Sequence, residues 1–303
     1  MPQILGLHHI TAIASDPEQN VLFYNQVLGL RLVKVTVNFD DPGSYHLYYG
    51  SGKGYPGSLL TFFPWPGAPA GSRSTGETSA IALSIPIGSS DYWKNRLTEK
   101  QVPFHELTDS HARRVIAFSD PDGMNLQLVE ADNADSALRW DEGPVPIDFT
   151  IHGLNHIVLD IFAPDVSASQ SLLTTSLGLN GDSHLAEIAS IPARKRGHMG
   201  PGVVHHIAWR AADDAEQAAW RTQLLQAGLH VTPVKDRQYF HSIYFREPGG
   251  VLYEIATDNP GFLTDESYPE LGKHLKLPPW LEAHRKSIEA ALPPLSATHG
   301  RIE

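Results

Sequence analysis

The chain has 303 residues, enough for two domains of ordinary size. Its 41% hydrophobic and 19% charged residues are the balance of a soluble globular protein. A formal net charge of −11 argues against a nucleic-acid backbone or an anionic membrane as partner, and the absence of cysteine excludes disulfides, thiolate catalysis and metal sites built on sulfur. Met1-Pro2-Gln3-Ile4-Leu5-Gly6 has no signal-peptide pattern and no apolar run reaches bilayer length, so a cytoplasmic location is expected.

Residues 5–13 read as a strand, after which Ser15-Asp16-Pro17-Glu18 supplies a cap and a proline at a helix start. The helix carries Val21, Phe23, Tyr24 and Val27 and stops near Gly29; strand-like runs follow at 30–38, 44–50 and 57–63. This β-α-β-β-β order recurs. The second module has strand 79–86, helix 89–100, strand 113–118, the turn Asp120-Pro121-Asp122-Gly123 and strand 124–130. The third opens at 153–161, and its helix ends in Leu177-Gly178-Leu179, which echoes Leu28-Gly29-Leu30; its later strands are hard to see, as in a shortened copy. The fourth has strand 203–210, an alanine-rich helix over 214–227, strand 240–246, the turn Glu247-Pro248-Gly249-Gly250 and strand 251–256.

The pattern predicts an α+β chain: residues 1–140 as an N-terminal pair of βαβββ modules, 150–257 as a C-terminal pair, and 258–303 as a C-terminal arm packed on the body or on a second subunit of a homodimer. The Asp-, Pro- and Gly-rich stretch 132–150 is the expected linker. One module leaves an open sheet edge and an uncovered concave face, so modules are expected to pair into half-barrels with helices outside and a pocket inside.

Two His-His pairs, His8-His9 and His205-His206, lie near the starts of the first strands of modules one and four. Neighbouring strand residues face opposite sides, so one His of each pair is expected to reach the pocket. His206 shares parity with Ala208 and Arg210, whereas His205 goes with the bulkier Ile207 and Trp209; the same trend selects His9. Four residues beyond the last turn glycine lies Glu254 in module four, Gln127 in module two and Thr61 in module one. Two imidazoles and a carboxylate can hold a divalent metal and leave other positions open. Modules two and three offer only His156 and Gln127, so one metal site per chain is expected, built by modules one and four. Arg237 and Tyr244 are placed to bond a phenolate or oxyanion, and His8 and His205 to orient ligands or water.

The repeat with His on its first strand and Glu on its last resembles the vicinal-oxygen-chelate superfamily, which includes glyoxalase I, the extradiol dioxygenases and the bleomycin resistance proteins. Within it the chain is most similar to the ring-cleaving hydroquinone dioxygenases typified by 2,6-dichlorohydroquinone 1,2-dioxygenase. The stretches that carry this are Leu7-His8-His9-Ile10-Thr11, Tyr45-His46-Leu47-Tyr48, Val204-His205-His206, Asp236-Arg237 through Tyr244-Phe245-Arg246, Pro248-Gly249-Gly250-Val251 to Glu254, and Gly261-Phe262 with Thr264-Asp265-Glu266.

The resemblance implies two half-barrel domains of the vicinal-oxygen-chelate fold and Fe(II) on His9, His206 and Glu254, with Mn(II) fitting the same donors. It places His8, Thr11, His205, Arg237 and Tyr244 around the substrate, a small aromatic para-diol cleaved with O2. The alternatives are a glyoxalase-like metal-dependent isomerase or lyase, and a non-catalytic binder of quinones or other aromatics.

Overall fold

A computed structural model of the chain describes residues 2–109, 113–132, 139–179, 185–193 and 196–296. Residues 133–138 of the expected linker and 297–303 of the expected arm lie outside the described residues.

Module one is β1 (Leu7–Ala14), α1 (Pro17–Val21) continued by a π-helical segment Leu22–Val27, β2 (Arg31–Asn38), β3 (Asp41–Gly50) and β4 (Leu59–Pro64). The Asp16 carboxylate accepts from the Gln19 N–H at 2.8 Å and Pro17 opens the helix, as the local sequence demands. Module two is β5 (Glu77–Ile85), α2 (Ser90–Glu99), β6 (Phe104–Thr108), β7 (Arg114–Ser119) and β8 (Asn125–Glu130). Module three contributes β9 (Gly153–Phe162), α3 (Val166–Ser171) with a π-helical turn Leu172–Ser176, and β10 (Ala186–Ile191). Module four is β11 (Val204–Ala211), α4 (Asp214–Gln226), β12 (Lys235–Asp236), β13 (Phe240–Arg246) and β14 (Leu252–Pro260). The arm holds α5 (Arg285–Ala291). Among the described residues no helix is long and apolar enough to cross a membrane.

The strands form two mixed sheets, ordered β12-β13-β14-β11-β1-β4-β3-β2 and β10-β9-β5-β8-β7-β6. Modules one and four share the first, modules two and three the second. Each sheet therefore draws on both halves of the chain, and the division at 140–150 does not follow the sheets. Within each half, consecutive modules are joined by a buried carboxylate in equivalent turns. Asp120 accepts from the Met124 and Asp122 N–H groups of its own turn and from the Tyr24 hydroxyl of module one at 2.8 Å. Glu247 accepts from the Val251 N–H and from the Ser169 hydroxyl of module three at 2.6 Å.

Alternation assigns the two faces of the first sheet. Ile207, Trp209, Tyr253 and Ile255 are buried in one cluster with Trp220 and Leu224 of α4. Burial of each such side chain is worth about 1.5–3 kcal/mol before the entropy of ordering it. The opposite parity, His206, Ala208 and Glu254, faces the concave side. The arm covers the β2 edge, where the Lys276 N–H donates to the Val35 carbonyl at 2.9 Å. Gly272 permits this approach: its φ is +77°, and a Cβ there would lie 1.9 Å from the Leu32 carbonyl oxygen.

Candidate metal centre

β1 and β11 run antiparallel side by side, with His9 opposite Ala208 and Thr11 opposite His206. This is a local twofold arrangement, and it is broken symmetrically. The register skips His8 between Leu7↔Trp209 and His9↔Ala208, and skips His205 between Thr11↔His206 and Ala12↔Val204. A bulge re-aims the side chain it carries. Strict alternation would send the first His of each pair to the helix side. Instead His8 and His9 rings meet edge-on at 5.1 Å, as do His205 and His206 at 5.0 Å. In the first pair only His9 lines the cavity, as alternation predicts, whereas both His205 and His206 line it, so the expectation of one pocket-side His per pair is corrected for the second pair.

The inner triad is His9, His206 and Glu254, all buried. His9 Nε2 lies 3.3 Å from His206 Nε2 and 3.4 Å from Glu254 Oε2, and His206 Nε2 lies 2.9 Å from that same oxygen. Donor atoms about 2.1 Å from an octahedral ion stand about 3 Å apart, so the triangle fits three ligands on one face.

Hydrogen positions follow from the surroundings. The Thr257 carbonyl can only accept, so the His8 Nε2 at 3.1 Å carries the hydrogen. Neutral His8 then accepts at Nδ1 from His9 Nδ1–H, 2.9 Å away, which leaves His9 Nε2 with a bare lone pair. His205 Nδ1 and His206 Nδ1 form the equivalent link at 2.7 Å. With His206 donating in the same sense, both Nε2 lone pairs face Glu254. The Ser242 hydroxyl donates to Oε1, while Oε2 is buried without an aligned hydrogen-bond donor. Two lone pairs and an orphaned carboxylate oxygen around one point are satisfied by a cation.

Electrostatics agree. Burial, reinforced by the imidazole of His9, pushes His8 down to about 3; burial and His206 do the same to His205. Burial also lowers His206. For Glu254 burial alone would raise the carboxyl, but positive charge and N–H donation at the His9 and His206 edges hold it well below its ordinary value, so the buried carboxylate calls for a proton or a cation at this point.

Beside the triad lies a cavity of about 160 Å³. Its aromatic walls are Phe39, Phe63 and Phe240, and His205, Arg237 and Tyr244 reach it. Arg237 Nε donates to the Tyr244 hydroxyl at 3.1 Å, and its Nη2 reaches Asp40 of the β2–β3 turn at 2.8 Å. Burial pushes the Tyr244 phenol upward, so it stays protonated. Among the expected site residues, His8 and Thr11 stand behind the cavity lining rather than in it. Thr61, at the position of a fourth ligand, is engaged: its hydroxyl is 2.8 Å from Thr11 Oγ1 and 2.8 Å from His46 Nε2.

His46, Tyr48, Ser242 and Asp40 were not singled out in the sequence as site residues. Alternation along β3, with Tyr45, Leu47 and Tyr49 in the main core, could have flagged His46 and Tyr48 as pocket-facing. Asp40 sits in a turn, where no periodicity operates.

The sequence profile of the Glyoxalase/Bleomycin resistance protein/Dioxygenase superfamily matches residues 6–128 and 153–255. The chain belongs to this superfamily. It is 43% identical to the Bacillus subtilis (strain 168) protein named "Putative ring-cleaving dioxygenase MhqO", over 96% of each chain. It is 32% identical to the chlorohydroquinone/hydroquinone 1,2-dioxygenase of Sphingobium indicum, covering 94% of this chain and 95% of that one. A crystal structure of a "putative dioxygenase" from Bacillus subtilis superposes with a TM-score of 0.91 at 41% identity, over 97% of this chain and 98% of that one. The two mixed sheets agree with the vicinal-oxygen-chelate fold of this superfamily.

Proposed function

We propose that the protein is a ring-cleaving dioxygenase that opens hydroquinone-type aromatics, para-diols of a single ring, with O2 and Fe(II), in the cytoplasm. The observation that carries this reading is a triad of two imidazoles and one carboxylate with its fourth position withdrawn. Thr61 is turned away into hydrogen bonds with Thr11 and His46, which leaves coordination positions for two small molecules. An isomerase that only moves protons has no use for that much open coordination. The named activities of the end-to-end relatives support the same reading.

His9, His206 and Glu254 would hold the ion, which when bound lowers the pKa of a phenol and carries electron density from ring to oxygen. The donor set has one negative charge, so a divalent ion leaves one positive charge in a buried site, and a single phenolate neutralises it. This favours a substrate that ionises at one hydroxyl. Phe39, Phe63 and Phe240 enclose one ring. Tyr244, its oxygen held by Arg237, is a donor for the substrate oxygen, and the Arg237 charge steadies the anion that develops there. His8 and His205 orient His9 and His206 through their Nδ1 links. Of these two, His205 lines the cavity, so proton handling falls to His205.

The test is oxygen uptake by Fe(II)-loaded protein offered hydroquinone, methylhydroquinone, chlorinated hydroquinones and catechol. Uptake with the para-diols is expected. An electrode that stays flat with every diol, metal demonstrably bound, would sink the reading.

A further inference from the structure

A chain of hydrogen bonds crosses the concave face from β1, the strand of His9, to the opposite cavity wall. Thr11 Oγ1 on β1 is 2.8 Å from Thr61 Oγ1 on β4; Thr61 Oγ1 is 2.8 Å from His46 Nε2 on β3; and His46 Nδ1 is 2.8 Å from the Tyr48 hydroxyl. His46 and Tyr48 line the cavity, whereas Thr11 and Thr61 lie beneath it. The His46 ring is packed between Tyr48 at 4.0 Å and Phe63 at 4.3 Å, so it cannot turn to other partners. Tyr48 is held in turn by Phe262 of the arm at 5.1 Å and by Tyr239 at 6.3 Å.

Burial keeps His46 neutral, so it has one ring hydrogen. Each of the four members then carries one hydrogen, and three links join them, so one hydrogen is left over. When the links all run from Tyr48 toward Thr11, Tyr48 turns an oxygen lone pair to the cavity. When they all run the other way, Tyr48 turns its hydrogen there. No ionisation is needed for either. A polar group with that freedom, set beside the rings of Phe39 and Phe63 in the cavity wall, is built to meet a hydroxyl.

We propose that Tyr48 receives the second hydroxyl of the substrate, the one not held at the metal, and that His46 is the positioning residue that fixes Tyr48 for this contact. The proposal rests on the dioxygenase reading and deepens it by naming what distinguishes a diol from a simple phenol. The triad strands β14, β11 and β1 occupy the middle of the first sheet, with Tyr244 on the β13 side and Tyr48 on the β3 side. A ring bonded by Tyr244 at its metal-side oxygen therefore has Tyr48 on the other flank. The contact would select para-diols over monophenols, whose bare edge would leave the Tyr48 hydroxyl without a partner on its cavity side.

The deciding experiment is calorimetric titration of hydroquinone and of phenol into anaerobic, Fe(II)-loaded protein. Wild type is expected to prefer hydroquinone by about tenfold, the loss of one buried hydrogen bond. Tyr48→Phe is expected to bring the ratio close to one, with phenol bound no more weakly than by wild type. His46→Phe, which keeps an aromatic ring and removes both nitrogens, is expected to lower the ratio as well, again without weakening phenol. An undiminished ratio in Tyr48→Phe overturns the assignment and leaves the dioxygenase reading standing. Failure of wild type to bind hydroquinone at all overturns both.

Discussion

In the eight-stranded sheet the strand register brings His9, His206 and Glu254 to one point; in the six-stranded sheet the same register puts Ala80, His156 and Glu187 at the matching positions. The match is residue for residue. His9 faces Ala208 and Ala208 faces Glu254, just as Ala80 faces Val158 and Val158 faces Glu187. Even the orienting neighbour has a counterpart, since His156 Nδ1 is 2.8 Å from Asn155 Oδ1, where His206 has His205. His156 Nε2 stands 3.7 Å from Glu187 Oε1, against 2.9 Å for His206 and Glu254. The repeat thus supplies places, and a single methyl group at Ala80 in place of an imidazole separates a candidate metal centre from an ordinary polar face. Function here belongs to side chains set on a fold that would accept either outcome.

The comparison is broken most completely by removing one carboxylate from each sheet. Glu254→Ala is expected to abolish stoichiometric metal binding and oxygen uptake, whereas Glu187→Ala leaves both at wild-type values; metal analysis after desalting reads the difference. A smaller effect is expected from His8, which orients His9 without reaching the cavity. His8→Ala should weaken metal binding by about 10- to 100-fold, measured by competition with a chelator, with the folded structure retained. The comparison is sharpened by Ala80→His, which gives the second sheet its missing imidazole. A second metal equivalent, weaker than the first, is expected in metal titrations; unchanged stoichiometry would show that backbone register alone does not make the site.

The smallest effect concerns the turn that joins module two to module one. Burial, against the pull of its hydrogen bonds, pushes the Asp120 carboxyl up to about 6. A carboxyl raised in the folded state contributes stability that is full below its unfolded value near 4, and that contribution is lost as pH rises through the folded value. Asp120→Asn should therefore flatten the pH dependence of unfolding between about pH 4 and 7, an effect of about 1–3 kcal/mol. Denaturant midpoints across that range measure it.

How far the sequence speaks is shown by where its periodicity holds. The repeat, the capped helix at Asp16 and the paired turns at Asp120 and Glu247 follow from local patterns, and all reappear in the structure. Counting along module four reached Glu254 because its turn and strand are regular. Two things escaped. The bulges at His8 and His205 are tertiary events, where one strand yields a residue to fit its neighbour, and no local pattern marks them. Module three hid Glu187, because β10 is an edge strand of half-exposed residues without clean alternation. The pairing of modules across the two halves was likewise invisible as sheet topology, although the expectation of one site shared by modules one and four already required it.

The crossing of the sheets has a consequence for how the protein is made. His9 leaves the ribosome before His206, which follows it by 197 positions. At about 5–20 residues per second that interval is roughly 10–40 seconds of synthesis. Throughout it β1 has no β11 to lie against, and His9 meets neither His206 nor Glu254. The three-residue cluster therefore cannot assemble during that interval, and any ion it holds must wait until Glu254 has emerged as well.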